Sequence, residues 1–250
     1  MTSPSRPFFL SAPSPCPYRR ERLERKFLTH LHGDPAANRA FNSDFCRLGF
    51  RRSHDILYRS ACPDCAACTP VRVVAGAFRP TRSLRRVVRR NKDLVSSWDR
   101  VDIDALFDLF QEYERVRHQT SPMAEMNRAE FSDMMRRDYV DSRHFCLHDA
   151  VGTLLGCMLV DPVSDGFSAV YSFFSVREAS RSLGTALVLA LIEEARACSQ
   201  PFVYLGYWIE GTPKMAYKAH FKPFEAFGAH GWGPYDETFR PSRLLFDDSP

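Results

Sequence analysis

An α+β fold is predicted for this 250-residue chain by three features. From Asp102 onward the order of patterns is helix, helix, strand, strand, strand, helix, strand, helix. The three consecutive strand patterns are spaced as a meander, and one long apolar-faced helix follows them. Before residue 100, short strands flank a cysteine-rich loop and lead into a basic helix. The chain therefore divides into a smaller, basic, Cys-containing part over 1–100 and a sheet-and-helix part over 101–250.

Taken in order, residues 1–15 read as a Pro/Ser-rich extended arm and 16–31 as a charged stretch, helical in part. A helix is predicted over 35–49, with Phe41, Phe45 and Leu48 at helical spacing and Gly49 at its stop. Residues 56–59 and 71–74 read as strands on either side of the cysteine loop. Residues 81–91 form an amphipathic helix, with Leu84, Val87 and Val88 on one side and five arginines on the other. Val95–Trp98 reads as a strand. The helix after Asp102 carries Leu106, Leu109, Phe110, Tyr113 and Arg117 in one stripe, and Asn127 with Glu130 caps the next. Strands follow at 145–148, 153–160 and 169–174, then the long helix at 181–198 and a strand at 202–207. Gly211-Thr212-Pro213 breaks that strand and opens a last helix, with Thr212 as cap and Pro213 in its first turn. This order is that of an acetyltransferase-like (GNAT-like) mixed sheet with flanking helices, split near the strand that precedes the long helix.

Charge and cysteine content bound the function. The net charge of +4 conceals 20 Lys/Arg against 8 Asp/Glu in residues 1–100, and 14 against 22 in the rest. A basic part joined to an acidic one points to a polyanionic partner docking on the first. No apolar run reaches the roughly eighteen residues of a membrane span, and the Pro-dotted N-terminus is not a secretory signal. Eight cysteines without such a signal imply reduced thiols or a metal site in the cytoplasm.

Four groups of residues carry candidate chemistry. Lys214, Tyr217 and Lys218 share one helical face just past the strand that ends Tyr207-Trp208. Two lysines among aromatic residues at a strand end suit an anionic, partly aromatic ligand; a half-buried aromatic corner is the alternative. Arg181-Ser182-Leu183-Gly184-Thr185-Ala186 fits the R-x-x-G-x-A turn that opens the long helix of acetyltransferases, where free backbone N–H groups face a phosphate or carbonyl. Arg82, Arg85, Arg86, Arg89, Arg90 and Lys92 form a stripe without an acid, suited to phosphate contacts with a nucleic acid; a membrane-surface helix is the alternative. Cys62, Cys65 and Cys68, with Cys16 as a fourth, have spacing that lets thiolates meet on zinc or an iron–sulfur cluster, with redox-sensitive thiols as the alternative. Cys46, Cys146, Cys157 and Cys198 read as buried hydrophobes.

Several of these stretches together resemble one family. They are Ser14 to Tyr18 (SPCPY), Leu48 to Arg59 (LGFRRSHDILYR), Cys62 to Arg72, Tyr171 to Phe174 (YSFF), Arg181 to Thr185, and LGYWIEGTPKMAYK from Leu205. In this order over nearly the whole chain, the blocks are similar to bacterial aspartate/glutamate leucyltransferases, relatives of the arginyl-tRNA–protein transferases. Ser175 stands where the family commonly has an acidic residue, so no role passes to it. The resemblance implies transfer of leucine from Leu-tRNA to the α-amine of proteins starting with Asp or Glu, for N-degron proteolysis, with arginine as the alternative residue. It implies no membrane partner and no cofactor for the transfer itself, and it associates a cluster or metal with the N-terminal cysteines.

An aminoacyl ester is already activated, so no Ser-His-Asp or Cys-His device is needed. A free amine attacks once deprotonated and aligned, aided by a donor aimed at the oxyanion. Tyr207, Lys214, Tyr217 and Lys218 are the catalytic candidates, and Arg181, Gly184 and Trp208 the substrate-binding ones. Arg181, Lys214 and Lys218 could each meet an acceptor carboxylate. A coenzyme A-dependent N-acetyltransferase is the competing enzyme, and a zinc-stabilised nucleic-acid-binding protein the competing non-enzyme.

Overall fold

The computed structural model describes residues 6–99, 101–119 and 121–244. Its strands are β1 (Phe9–Leu10), β2 (Ser14–Pro15), β3 (Leu23–Glu24), β4 (Lys26–His30), β5 (Arg51–Ser53), β6 (Ile56–Ser60) and β7 (Thr69–Val74). They continue as β8 (Val95–Trp98), β9 (Arg143–His148), β10 (Leu154–Val163), β11 (Gly166–Phe174), β12 (Phe202–Trp208), β13 (Phe224–Gly228) and β14 (Gly231–Pro234). The α-helices are α1 (Pro35–Arg47), α2 (Arg82–Arg90), α3 (Ile103–Arg117), α4 (Arg128–Met134) and α5 (Leu183–Ala197).

One eight-stranded sheet dominates, in the order β14-β13-β7-β12-β11-β10-β9-β8. All of its neighbours are antiparallel except β11 and β12. The α5 crossover between those two strands is what makes them parallel. On one face α5 buries Leu187, Leu191 and Ile192 against Met158, Val160 and Val203, and α2 adds Leu84 to the same core. A second core sets Leu106 and Phe110 of α3 and Phe131 of α4 against Cys157, Leu159 and Phe173. The first hundred residues are not set apart from this sheet, since β7 and β8 are two of its strands.

A smaller sheet, β1-β4-β6-β5, gathers Leu31, Phe50 and Leu57 with Phe41 and Phe45 of α1. Its junction with the large sheet is a buried ion pair. Arg52 Nε and Nη2 donate to the two carboxylate oxygens of Asp161 at 2.7 Å each, and the Ser142 hydroxyl donates to the same carboxylate. Both charged side chains are 1% exposed. Removing one partner of such a pair costs about 3–5 kcal/mol, because the other charge is left buried alone.

Local signals explain most boundaries. Asp34 caps α1 ahead of Pro35, and Thr81 caps α2 through the Leu84 N–H. The Asn127–Glu130 pair closes a full capping box on α4. Five expectations are corrected. Residues 23–30 form strands β3 and β4, not helix, because β6 supplies a partner for Lys26–His30. Residues 213–220 form 3₁₀ turns and not an α-helix, and Thr212 makes no capping bond. The long helix starts at Leu183, because Ser182 is left-handed at φ 55°. Val88 is 49% exposed and does not dock α2. Cys198 lies exposed at the end of α5, whereas Cys46, Cys146 and Cys157 are buried as expected.

Candidate active-site cleft

The parallel strands β11 and β12 pair only at their start, from Gly166↔Phe202 to Ser168↔Tyr204. Beyond that point they part, and among the described residues no strand fills the fork. A side chain fills its base instead. Arg51 reaches in from β5, and its Nη2 donates to the Val170 carbonyl at 3.0 Å. A Cβ at residue 206 would stand 1.1 Å from Arg51 Nη1, so any other residue there would displace the guanidinium. Gly206 also has φ +73°, a conformation costly for any other residue.

Above this base opens a cleft of about 990 Å³. One wall is β11 with Tyr171 and Phe174, and the front is the start of α5, from Ser182 to Thr185. The opposite wall is Leu205 and Tyr207 of β12 with Lys214, Tyr217 and Lys218 of the 3₁₀ segment. Tyr18 and Tyr58 come from the N-terminal part, so both parts of the chain build one cavity. The first N–H groups of α5 have no intrahelical acceptor, and Ser182 gives them no side-chain cap. Gly184 allows α5 to approach β11, since a Cβ there would lie 2.6 Å from the Phe174 ring.

Lys218 is anchored to β12. Its Nζ donates to the Tyr207 carbonyl at 2.6 Å and lies 6.0 Å from the Tyr217 ring centre. Burial, then the nearby Arg51 charge, push its pKa down to about 7. Tyr217 is 38% exposed, and burial raises its hydroxyl above the ordinary phenol range. Tyr207 is buried, and its hydroxyl is engaged with β6: it accepts from the Ser60 N–H at 3.3 Å and donates to the Tyr58 carbonyl at 3.4 Å. Burial raises its pKa as well. Lys214 is exposed at the rim.

Two expected binding residues stand elsewhere. Trp208 turns into the core, edge-on to Phe224 and Tyr235 with centroids 6.0 and 4.8 Å apart. Arg181 is held by Asp93 at 2.5 Å and by Asn91 Oδ1 at 3.0 Å. That second contact joins the end of α2 to the front of α5. Asn91 also donates to the Arg181 carbonyl at 2.8 Å, and Arg90 donates to the Ser180 carbonyl. Arg82, Arg85, Arg86, Arg89, Arg90 and Lys92 are all exposed, so the basic stripe runs along α2 to the cleft mouth.

Cys16, Cys62, Cys65 and Cys68 carry free thiols. Cys62, Cys65 and Cys68 border a separate cavity of about 20 Å³. Burial raises Cys68 to about 11 and Cys62 in the same direction, and nearby thiols reinforce both shifts. Four thiols are a donor set for a soft metal. As they stand, however, no three His, Cys, Asp or Glu side chains converge to hold one among the described residues.

The sequence reading missed Arg51, Tyr18, Tyr58 and Tyr171 as cleft residues. The Arg51-Arg52 doublet was a readable signal, because alternation along a strand sends adjacent side chains to opposite faces. Arg52 goes to Asp161 and Arg51 to the fork.

Comparison with known proteins gives a consistent result. Residues 14–86 match the family model described as arginine-tRNA-protein transferase, N terminus, and residues 105–228 its C-terminus counterpart. A protein of Paramagnetospirillum magneticum named aspartate/glutamate leucyltransferase is 47% identical over 227 residues, 90% of this chain and 92% of its own length. One of Parvibaculum lavamentivorans with the same name is 45% identical over 226 residues, covering 90% and 93%. Among solved structures, L-PGS from Bacillus licheniformis aligns with a TM-score of 0.49 at 14% identity, covering 84% of this chain and 66% of its own. FemX aligns at 0.45 and 10%, covering 68% and 60%. Neither structural likeness is close enough to carry an argument.

Proposed function

We infer the function from one premise: the chain belongs to the arginine-tRNA–protein transferase family. It is an aminoacyltransferase that moves leucine from Leu-tRNA to the α-amine of proteins beginning with Asp or Glu. Proteins so marked enter N-degron proteolysis, and the cytoplasm, where charged tRNA resides, is its compartment. The observation that carries this reading is the forked, cationic, tyrosine-lined cleft, continuous with an exposed arginine stripe.

The tRNA lies along α2, its phosphates on Arg82, Arg85, Arg86, Arg89, Arg90 and Lys92. Its 3′ end enters the fork, which we read as acetyltransferase-like, with the N–H groups at the front of α5 and Gly184 beside it. Residues 1–100 thus serve mainly tRNA docking and 101–250 mainly the reaction.

The chemistry needs one proton moved and one oxyanion stabilised. The acceptor amine nitrogen, with pKa about 7.7–8.0, attacks the ester carbonyl carbon. An N–C bond forms, the C–O bond to the ribose breaks, and the ribose oxygen takes a proton. Lys218, held near neutrality at about 7, has a lone pair that can take the amine's proton. Lys214 and the Tyr217 hydroxyl face the developing oxyanion. Tyr207 acts through its carbonyl, which fixes Lys218 Nζ.

Beyond this cleft, the cysteine quartet is a candidate metal or cluster site that would close on its ligand. A bound ion there would brace the loop, and no step of the transfer runs through it.

The direct test offers the protein an Asp-starting peptide with labelled Leu-tRNA, Arg-tRNA or acetyl-CoA. Leucine on the peptide is the expected result. Acetyl label alone would replace this reading with a coenzyme A-dependent acetyltransferase.

A further inference from the structure

We propose that Arg51 is the residue that reads the acceptor, taking the side-chain carboxylate of its N-terminal Asp or Glu. The proposal rests on the leucyl-transfer reading above and names the group that gives it specificity. Arg51 presents five N–H donors, and its hydrogen bond to Val170 uses one nitrogen. No carboxylate pairs with it among the described residues, and the one acid lining the cleft, Glu178, is exposed at the rim.

The other cations fit this role less well. Arg181 is already paired with Asp93. Arg117 and Lys214 are exposed, where water and salt weaken selectivity. Lys218 is committed to the Tyr207 carbonyl. Arg51 is partly buried and held from two sides, by the Val170 carbonyl and by the space that Gly206 leaves. A planar guanidinium fixed in this way can take a carboxylate through two parallel hydrogen bonds, which a lysine cannot do. Seated there, the acceptor residue sits at the base of the fork, beneath Lys218 and Tyr217.

Two other roles are open to the same charge: a brace that merely fills the fork, and a contact to a phosphate at the tRNA 3′ end. Full-length Arg51→Gln and Arg51→Lys separate them. Transfer from pre-bound Leu-tRNA is followed to peptides that start with Asp or with its amide isostere Asn. Peptide affinity without tRNA and tRNA affinity are measured alongside. For Arg51→Gln the Asp-over-Asn ratio should fall about 10- to 100-fold, the weight of a hydrogen-bonded charge. The fall should appear in acceptor KM and in peptide affinity, with tRNA affinity held and Arg51→Lys in between. Equal losses for Asp and Asn with a lower Tm would make Arg51 a brace, and a loss of tRNA affinity would make it a phosphate contact; either overturns the proposal. Wild-type protein that moves no leucine to any peptide would instead sink the leucyl-transfer reading, while the affinity of the Asp peptide would still judge Arg51.

Discussion

Replacing Lys218 by Met should make the protein more stable and less active, and the gain in stability should depend on pH. Burial lowers this lysine from 10.5 to about 7. At 1.36 kcal/mol per unit, holding it charged in the fold costs roughly 4–5 kcal/mol. The sign follows from proton counts. Below pH 7 both states are protonated and the full cost is present. Between pH 7 and 10.5 the unfolded chain binds more protons than the folded one, so wild-type stability from this group rises with pH. Above 10.5 the cost is gone. Met carries no such cost at any pH, so its advantage is largest near pH 6 and shrinks toward pH 10. At about 2–4 °C per kcal/mol for a chain of this size, the Tm difference between variant and wild type should change by roughly 10 °C over that range. Other titrating groups are common to both proteins and cancel. The same variant should lose about 10²–10⁴ in transfer rate if Lys218 takes the amine's proton. Melting curves from pH 6 to 10 beside single-turnover transfer provide both readings. A Tm difference flat across pH would refute the assignment of a half-buried, near-neutral lysine.

Changing Arg85, Arg86, Arg89 and Arg90 together to Ala should weaken tRNA binding and flatten its dependence on salt, since each lost phosphate contact releases fewer counterions. Leu84 still docks α2, so the fold should hold; tRNA affinity unchanged across a salt series would remove α2 from the docking surface. Elemental analysis and absorption spectra of anaerobically purified protein should show one metal or cluster lost on changing Cys62, Cys65 and Cys68 to Ser. Metal-free protein of full activity would leave those thiols a structural or redox role.

What was legible in the sequence was whatever its local chemistry determines. The Thr81 cap and the arginine stripe placed α2, and the Asn127–Glu130 box placed α4. The meander β9-β10-β11 followed from alternation and short turns. What escaped depended on distant partners. Lys26–His30 is a strand because β6 lies beside it, and KFLTH carries too little alternation to say so alone. The 3₁₀ form of residues 213–220 comes from a segment that must return within a few residues to β13. The candidate site was read as one strand end and one helix face; Lys214, Tyr217 and Lys218 line one cleft, on 3₁₀ turns and not on an α-helix. Its base was not readable that way, because Arg51 meets Gly206 only after two sheets have assembled. Trp208, adjacent to that cluster in sequence, joins the core with Val203 and Leu205 because the register shift between Tyr204 and Gly206 breaks the alternation of β12.

The central claim is that the fork between β11 and β12 is where leucine changes hands. Single-turnover transfer from pre-bound Leu-tRNA to an Asp-starting peptide, run on Lys214→Ala and Tyr217→Phe beside melting curves, tests it most directly. Both side chains are partly or fully exposed, so stability should move by less than about 0.5 kcal/mol. Loss of a group aimed at developing charge should slow transfer about 10²–10³-fold. Transfer that falls only in proportion to the folded fraction would make the cluster a packed corner and place the reaction elsewhere.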